Sequence, residues 1–189
     1  GGEGGAILGG CSMGGSVVQA LLRRYPEVVR GVMLMDCRAT ADTPEAKANR
    51  GKVIEQIKAD PVAGMRALVE GMLARALSPQ TGDSVRQEVR RIMERQSPAG
   101  VMGIQHAMAG RRDETELLAG VKIPVLLVVG AEDVISPPSV LIGMKALMLQ
   151  AMLVQVAQAG HLPMLEQPEA VNEAIAMFLH QFQVAENPT

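Results

Sequence analysis

Gly10-Cys11-Ser12-Met13-Gly14 reads G-x-S-x-G, a spacing that can turn a serine into a nucleophile. The serine of such a motif sits on a sharp turn between a strand and a helix. Glycines flank it where a Cβ would strike neighbouring backbone. The helix that follows aims its N-terminus at Ser12, and the Met13 N–H is placed to stabilise an oxyanion. A glycine-rich phosphate loop is the competing interpretation. It fails because no lysine follows the glycines in the G-x-x-x-x-G-K-[ST] pattern.

A serine hydroxyl is protonated at neutral pH and needs a base. Of the three histidines, His106 falls inside a predicted helix and His180 near the end of the last one. His161 lies in a loop, Ala159-Gly160-His161-Leu162-Pro163, directly after a predicted strand. Open parallel sheets build their sites from loops at the carboxyl ends of the strands, so His161 is the base. An acid must orient it. Asp133 follows the third predicted strand in Val129-Gly130-Ala131-Glu132-Asp133, and Asp36 ends the second. The chain order Ser…Asp…His favours Asp133, with Asp36 the competitor. Glu132 is adjacent to Asp133, but consecutive loop residues point differently and only one can face the imidazole.

Four short apolar runs carry these residues: Ala6–Gly10, Val32–Met35, Ile123–Val129 and Met152–Val156. Continuous apolar runs separated by helical patterns mark a parallel sheet covered on both faces. Val17, Val18, Leu21 and Leu22 recur at helical spacing after the first strand. Between the second and third strands the β pattern vanishes. Thr43-Pro44, Asp60-Pro61 and Ser97-Pro98 each pair a capping side chain with a proline suited to the first helical position. Val62, Met65, Leu68, Val69, Met72 and Leu73 form an apolar stripe in the second of these helices, and another helix follows Asp83. Residues 39–118 therefore read as an all-helical cap, with 1–38 and 119–185 forming the core. Helices are also expected over Pro138–Leu149 and from Pro168 to about Gln181, with the tail from Ala185 to Thr189 frayed.

Composition narrows the function classes. A chain of 189 residues suffices for one domain. A net charge of −2 gives no electrostatic case for nucleic acid or anionic lipid. No apolar run approaches the ~20 residues of a membrane span and no signal peptide opens the chain, so a cytoplasmic location is expected. Cys11 and Cys37 make no disulfide framework and are expected as reduced, partly buried thiols. With two Phe, one Tyr and 13 Met, flexible thioethers must fill space that rings usually fill. The opening Gly1-Gly2-Glu3-Gly4-Gly5 reads as a truncation or linker remnant.

Four ordered motifs resemble an α/β-hydrolase, closest to its capped esterase and oxoadipate enol-lactonase branch. They are Gly10–Gly15, Tyr25-Pro26-Glu27-Val28-Val29, Ile123-Pro124-Val125 through Asp133, and Ala159–Pro163 with Gln167-Pro168-Glu169-Ala170-Val171. The resemblance implies a truncated fold of about four parallel strands flanked by helices, with Ser12 as nucleophile, Asp133 as orienting acid and His161 as general base. It implies hydrolysis of small carboxylic esters or lactones through an acyl-enzyme, with neither metal nor cofactor. Strands that precede the serine strand in that family have no counterpart here, nor does the loop giving the second oxyanion donor. The alternative is thus an impaired hydrolase serving as an assembly or binding module. The same absence leaves Ala6–Gly10 as an apolar sheet edge, and a homo-oligomer formed through that edge is expected.

Overall fold

The computed structural model describes residues 5–186. Four strands, β1 (Ala6–Cys11), β2 (Val29–Met35), β3 (Val125–Gly130) and β4 (Met152–Val156), form one parallel sheet in the order β1-β2-β3-β4. Four parallel strands in this order are what the motifs anticipated. β2 begins earlier than its apolar run, because Val29 pairs with Ala6 and Gly31 with Ile7 across the β1 register shift. Arg30 and Gly31 interrupt the hydrophobic pattern without interrupting the ladder. β3 starts at Val125, two residues later than expected, and keeps Gly130.

The helices on the sheet are α1 (Met13–Arg24), α7 (Pro138–Leu147) and α9 (Pro168–Glu186). A single-turn helix, α8 (Pro163–Glu166), precedes α9, and a 3-10 turn over Pro26–Val28 leads into β2. Five helices link β2 to β3: α2 (Pro44–Ala59), α3 (Pro61–Ala76), α4 (Asp83–Glu94), α5 (Pro98–Ala109) and α6 (Thr115–Gly120). The three Pro-led helices start as expected. Thr43 Oγ1 accepts from Ala46 N–H at 3.2 Å, Asp60 Oδ1 from Val62 and Ala63 at 3.0 Å each, and Ser97 Oγ from Gly100 at 3.0 Å.

Because strand side chains alternate, β3 feeds two cores at once. Val125, Leu127 and Val129 join Val18 and Leu22 of α1, Leu118 of α6, and Leu141 and Met144 of α7 on one face. Leu126 and Val128 join Val171 and Phe178 of α9 on the other. The few rings are used economically: Phe178 and Phe182 meet edge-to-face at 5.4 Å over Gly31, where a Cβ would lie 2.6 Å from the Phe182 ring. A third cluster, Val69, Leu73, Leu77 and Val89, holds α3 to α4.

Several local expectations shift. Of the α1 stripe, Val18 and Leu22 are buried while Val17 and Leu21 are exposed, since only one side of the helix meets the sheet. In α3 the core-facing residues are Val69 and Leu73, and Val62 is exposed. α7 ends at Leu147, where the Met148 N–H turns back to Lys145 O at 3.1 Å. α9 runs beyond Gln181 through Glu186, so residues 185 and 186 of the expected frayed tail are helical; 187–189 and the first four glycine-rich residues lie outside the described residues. Among the described residues no helix is long and apolar enough to cross a membrane.

Candidate active site

Ser12 stands between the end of β1 and the start of α1 with φ 51° and ψ −115°. A non-glycine residue at such a φ costs on the order of 1–3 kcal/mol and persists only where its surroundings enforce it. Here the Ser12 N–H is tied to Met35 O of β2 at 2.8 Å. Gly10 is required, since a Cβ there would lie 2.3 Å from the Gly14 carbonyl. Gly14 is not required on the same ground: a Cβ there meets nothing within 4 Å. The steric need falls instead on Gly15, whose Cβ would be 2.6 Å from Cys37 Sγ. Met13 opens α1, so its N–H has no intrahelical acceptor.

His161 Nε2 lies 2.7 Å from Ser12 Oγ, and its Nδ1 lies 2.8 Å from Asp133 Oδ2. Both His161 and Asp133 are buried. Asp133 Oδ1 accepts from the Ile135 N–H at 2.7 Å and the Ser136 N–H at 3.1 Å, which fixes the carboxylate. Burial works against its charge. The His161 contact and these two N–H groups outweigh it and hold Asp133 below the ordinary carboxylate range. An ionised Asp133 accepts from Nδ1–H, which leaves Nε2 free to accept the Ser12 proton. His106 and His180 sit on exposed helix faces, as expected.

Asp36 does not contact His161 by a hydrogen bond, yet it belongs to the site. It is fully buried, has φ 44°, and accepts the Gly130 N–H through Oδ1 at 2.9 Å. Its Oδ2 is buried without a hydrogen-bond partner. Burial pushes the Asp36 carboxyl up to about 9; the Gly130 N–H opposes this and the neighbouring Asp133 charge adds to it. The site thus holds two carboxyls with opposite assignments, Asp133 ionised and Asp36 neutral at pH 7. Asp36, Asp133 and His161 offer ligand atoms within 4.8 Å of one another. Both His161 nitrogens and Asp133 Oδ1 are already committed, so this group does not suit a metal ion.

Two acids that sequence reasoning left without a role hold the loops. Glu166 of α8 accepts from Gly160 N–H at 2.9 Å and Leu162 N–H at 3.2 Å on either side of His161. Its other oxygen accepts from Ser78 N–H at 2.7 Å and Thr81 Oγ1 at 2.5 Å. Glu132 accepts from Ser78 Oγ at 2.7 Å, so it faces away from the imidazole. The His161 N–H itself donates to Ala76 O at 2.8 Å. The α3–α4 connection is therefore bonded to both loops of the site. Gly160 permits this approach: a Cβ there would be 2.8 Å from Ala76 O. No spacing in the sequence marks Glu166, because its partners lie up to 88 residues away.

Cys11 and Cys37 are free thiols, half-buried and buried. Burial raises both, Cys37 to about 12, so neither is a thiolate at neutral pH.

A cavity of about 720 Å³ opens beside Ser12 and His161 and is lined by α2, α3 and α5. Comparisons with known proteins identify the family. A model of the Ndr family matches residues 5–185. The AB hydrolase superfamily protein YisY of Bacillus subtilis is 30% identical over 92% of this chain and 66% of its own length. A pimeloyl-(acyl-carrier protein) methyl ester esterase of Neisseria meningitidis is 31% identical over 85% of this chain and 64% of its own. The structure of a thermophilic esterase from Thermogutta terrifontis, malate bound, superposes with a TM-score of 0.89 at 37% identity, over 94% of this chain and 65% of that one. The chain thus spans about two thirds of the length of these relatives. Sheet order, strand-to-helix serine turn and family match together place it: the chain belongs to the α/β-hydrolase superfamily and, within it, to the Ndr family.

Proposed function

We propose that the chain is a serine hydrolase that cleaves small carboxylic esters or lactones through an acyl-enzyme on Ser12. The observation that carries this reading is the hydrogen-bonded chain Ser12 Oγ–His161 Nε2–Asp133 Oδ2, at 2.7 and 2.8 Å, beside an open cavity. Esterases among the relatives support it.

In this reading Ser12 Oγ attacks the ester carbonyl as its proton passes to His161 Nε2. Asp133 keeps the imidazole in the tautomer that can accept it and stabilises the imidazolium. The Met13 N–H, at the positive end of α1, stabilises the oxyanion. The protonated His161 then gives its proton to the departing alcohol. Water repeats the sequence on the acyl-enzyme and releases the acid. The chemistry requires no cofactor. Residues 39–118 act as a cap whose α2, α3 and α5 shape the substrate space, over a core of 1–38 and 119–185.

A fluorophosphonate probe is expected to label Ser12 alone, and turnover of p-nitrophenyl esters of graded chain length is expected to vanish in Ser12→Ala. An adduct mapped to Ser16, Ser78 or Ser136 would overturn the nucleophile assignment. We also propose self-association through β1, which is an edge of the sheet with Ile7 and Leu8 only half-buried. A two-fold axis would pair that strand antiparallel with its copy. Light scattering that finds a 20.0 kDa particle at micromolar concentration would refute this.

A further inference from the structure

The wall of the cavity beyond Ser12 is unusually basic for a chain whose net charge is −2. Arg38, Arg50 and Arg111 line it, together with the exposed Arg75, and the ionised carboxylate among the lining residues is that of Asp42. Asp42 is bridged by two of them, Oδ2 accepting from Arg50 Nε at 2.5 Å and Oδ1 from Arg111 Nη2 at 2.8 Å. Arg38 reaches only neutral acceptors, Ile135 O and, at 3.4 Å, Ser136 Oγ. Arg50 Nη1 likewise donates to a neutral oxygen, Gln105 Oε1, at 2.9 Å. Asp36 lines the same cavity but is neutral, so it offsets none of this charge.

A clamp of Asp42, before α2, with Arg50 of α2 and Arg111, after α5, would account for two guanidiniums and one carboxylate. It does not account for three. Nor does it account for Arg111 Nε, which is buried without a hydrogen-bond partner although its side chain is only 12% exposed. A buried donor left unpaired is costly, and native proteins keep few of them without a use. Burial, partly offset by Asp42, together with the like charges of Arg38 and Arg50, holds the Arg111 guanidinium below its ordinary range. An arriving anion would relieve that repulsion.

The position is also right for a substrate group. Arg111 Nη1 lies 3.5 Å from Ser16 Oγ, and the Ser16 N–H donates to Ser12 O at 3.3 Å. Ser16 is one helical turn beyond the nucleophile, about 6 Å along the axis of α1. From the other side, Arg38 meets the two residues that pin Asp133. The Asp42 bridge shows a carboxylate held between the Arg50 and Arg111 forks, and Arg38 holds none.

We propose that Arg38, Arg50 and Arg111 form an anion-binding wall in the cavity beside Ser12, and that the preferred substrate is an ester carrying a free carboxylate a short chain away from the scissile carbonyl. The choice of an ester rests on the hydrolase reading above; the anion site does not.

The test compares monomethyl glutarate with dimethyl glutarate, which match in length and differ by one charge. The monoester is expected to have the higher kcat/KM by about tenfold or more at low salt, as one charge-assisted contact allows. The ratio should shrink at high ionic strength and collapse in Arg38→Gln and Arg111→Gln. Calorimetry with Ser12→Ala reads the same preference as binding, independent of turnover. Salt-sensitive binding of the monoester alone supports the wall even if the parent protein turns over neither ester, in which case the hydrolase reading fails instead. Equal turnover of both esters, a ratio indifferent to salt, or no preferential binding to Ser12→Ala overturns the wall and leaves the hydrolase reading standing.

Discussion

Every residue of β3 from Val125 to Gly130 is buried, whereas the twelve residues of α4 bury only Val89. The strand is covered on both faces and ends in loops that approach one another closely. The α2–α5 segment is a set of helices packed mainly on one another around the cavity, whereas α6 buries Leu118 in the sheet core. The first region sets the positions of Asp133 and His161, whose loops meet where Gly130 lies against Ala159 and Gly160 backbone. The second shapes a space and presents charge, and much of its surface faces water. Tolerance to substitution should therefore differ sharply between them.

Gly130 and Gly51 test this difference most directly. A Cβ at Gly130 would lie 1.8 Å from Gly160 O and 2.5 Å from Ala159 O, both rigid backbone. Gly130→Ala is expected to cost more than ~4 kcal/mol and to leave little folded protein, as read by urea denaturation and circular dichroism. A normal denaturation midpoint would mean that the loops at the strand ends are softer than their contacts imply.

Within the site, Asp133→Asn should lower turnover by about 10⁴-fold, because the amide cannot hold the required imidazole tautomer. Glu132→Gln, one residue away, should change it far less, because Glu132 faces Ser78 and Gln80. Initial rates on one p-nitrophenyl ester decide the ranking, and the reverse order would exchange the roles of the two acids.

Asp36→Asn should affect turnover little and stability in a pH-dependent way. The folded chain keeps a proton on Asp36 up to about pH 9, while the unfolded chain loses it near 3.8. Between those values the unfolded state binds fewer protons, so rising pH erodes stability, by at most ~1.4 kcal/mol per unit. Asparagine keeps the acceptor for the Gly130 N–H and does not titrate. Its stability relative to the parent should rise from pH 5 through pH 7 to pH 9 in thermal melts. A constant difference would show that Asp36 is ionised in the fold.

The smallest effect lies in the helical segment. Gly51 of α2 has nothing within 4 Å of where a Cβ would stand. Gly51→Ala should stabilise by about 0.5–1 kcal/mol, since helix entropy is regained without a clash. Destabilisation there would show that α2 is packed more tightly than its exposed face suggests.

Much of this architecture is legible in the chain itself, and the pattern of what is not is instructive. Strands announced themselves where both faces are buried, as in Val125–Val129, and helices where Thr43, Asp60 and Ser97 precede a proline. The start of β2 at Val29 was hidden, because Arg30 and Gly31 break the apolar run that the ladder ignores. Gly14 fits the serine motif yet has open space around it, while the crowding falls on Gly15, which only the position of Cys37 reveals.

What the sequence determined alone is what a few consecutive residues can decide: capped helix starts, apolar strands, a strained serine turn, and the order of serine, aspartate and histidine. The tertiary structure decided everything that depends on residues meeting from afar. Ser12 and His161 are 149 positions apart and Asp133 is 28 from His161, so parallel strand order alone brings them to one sheet end. The same convergence leaves Asp36 neutral beside an ionised Asp133, ties Glu166 to the α3–α4 connection, and gathers three arginines around Asp42. Charge state and pairing are properties of a surrounding, and a surrounding exists only once the chain has folded.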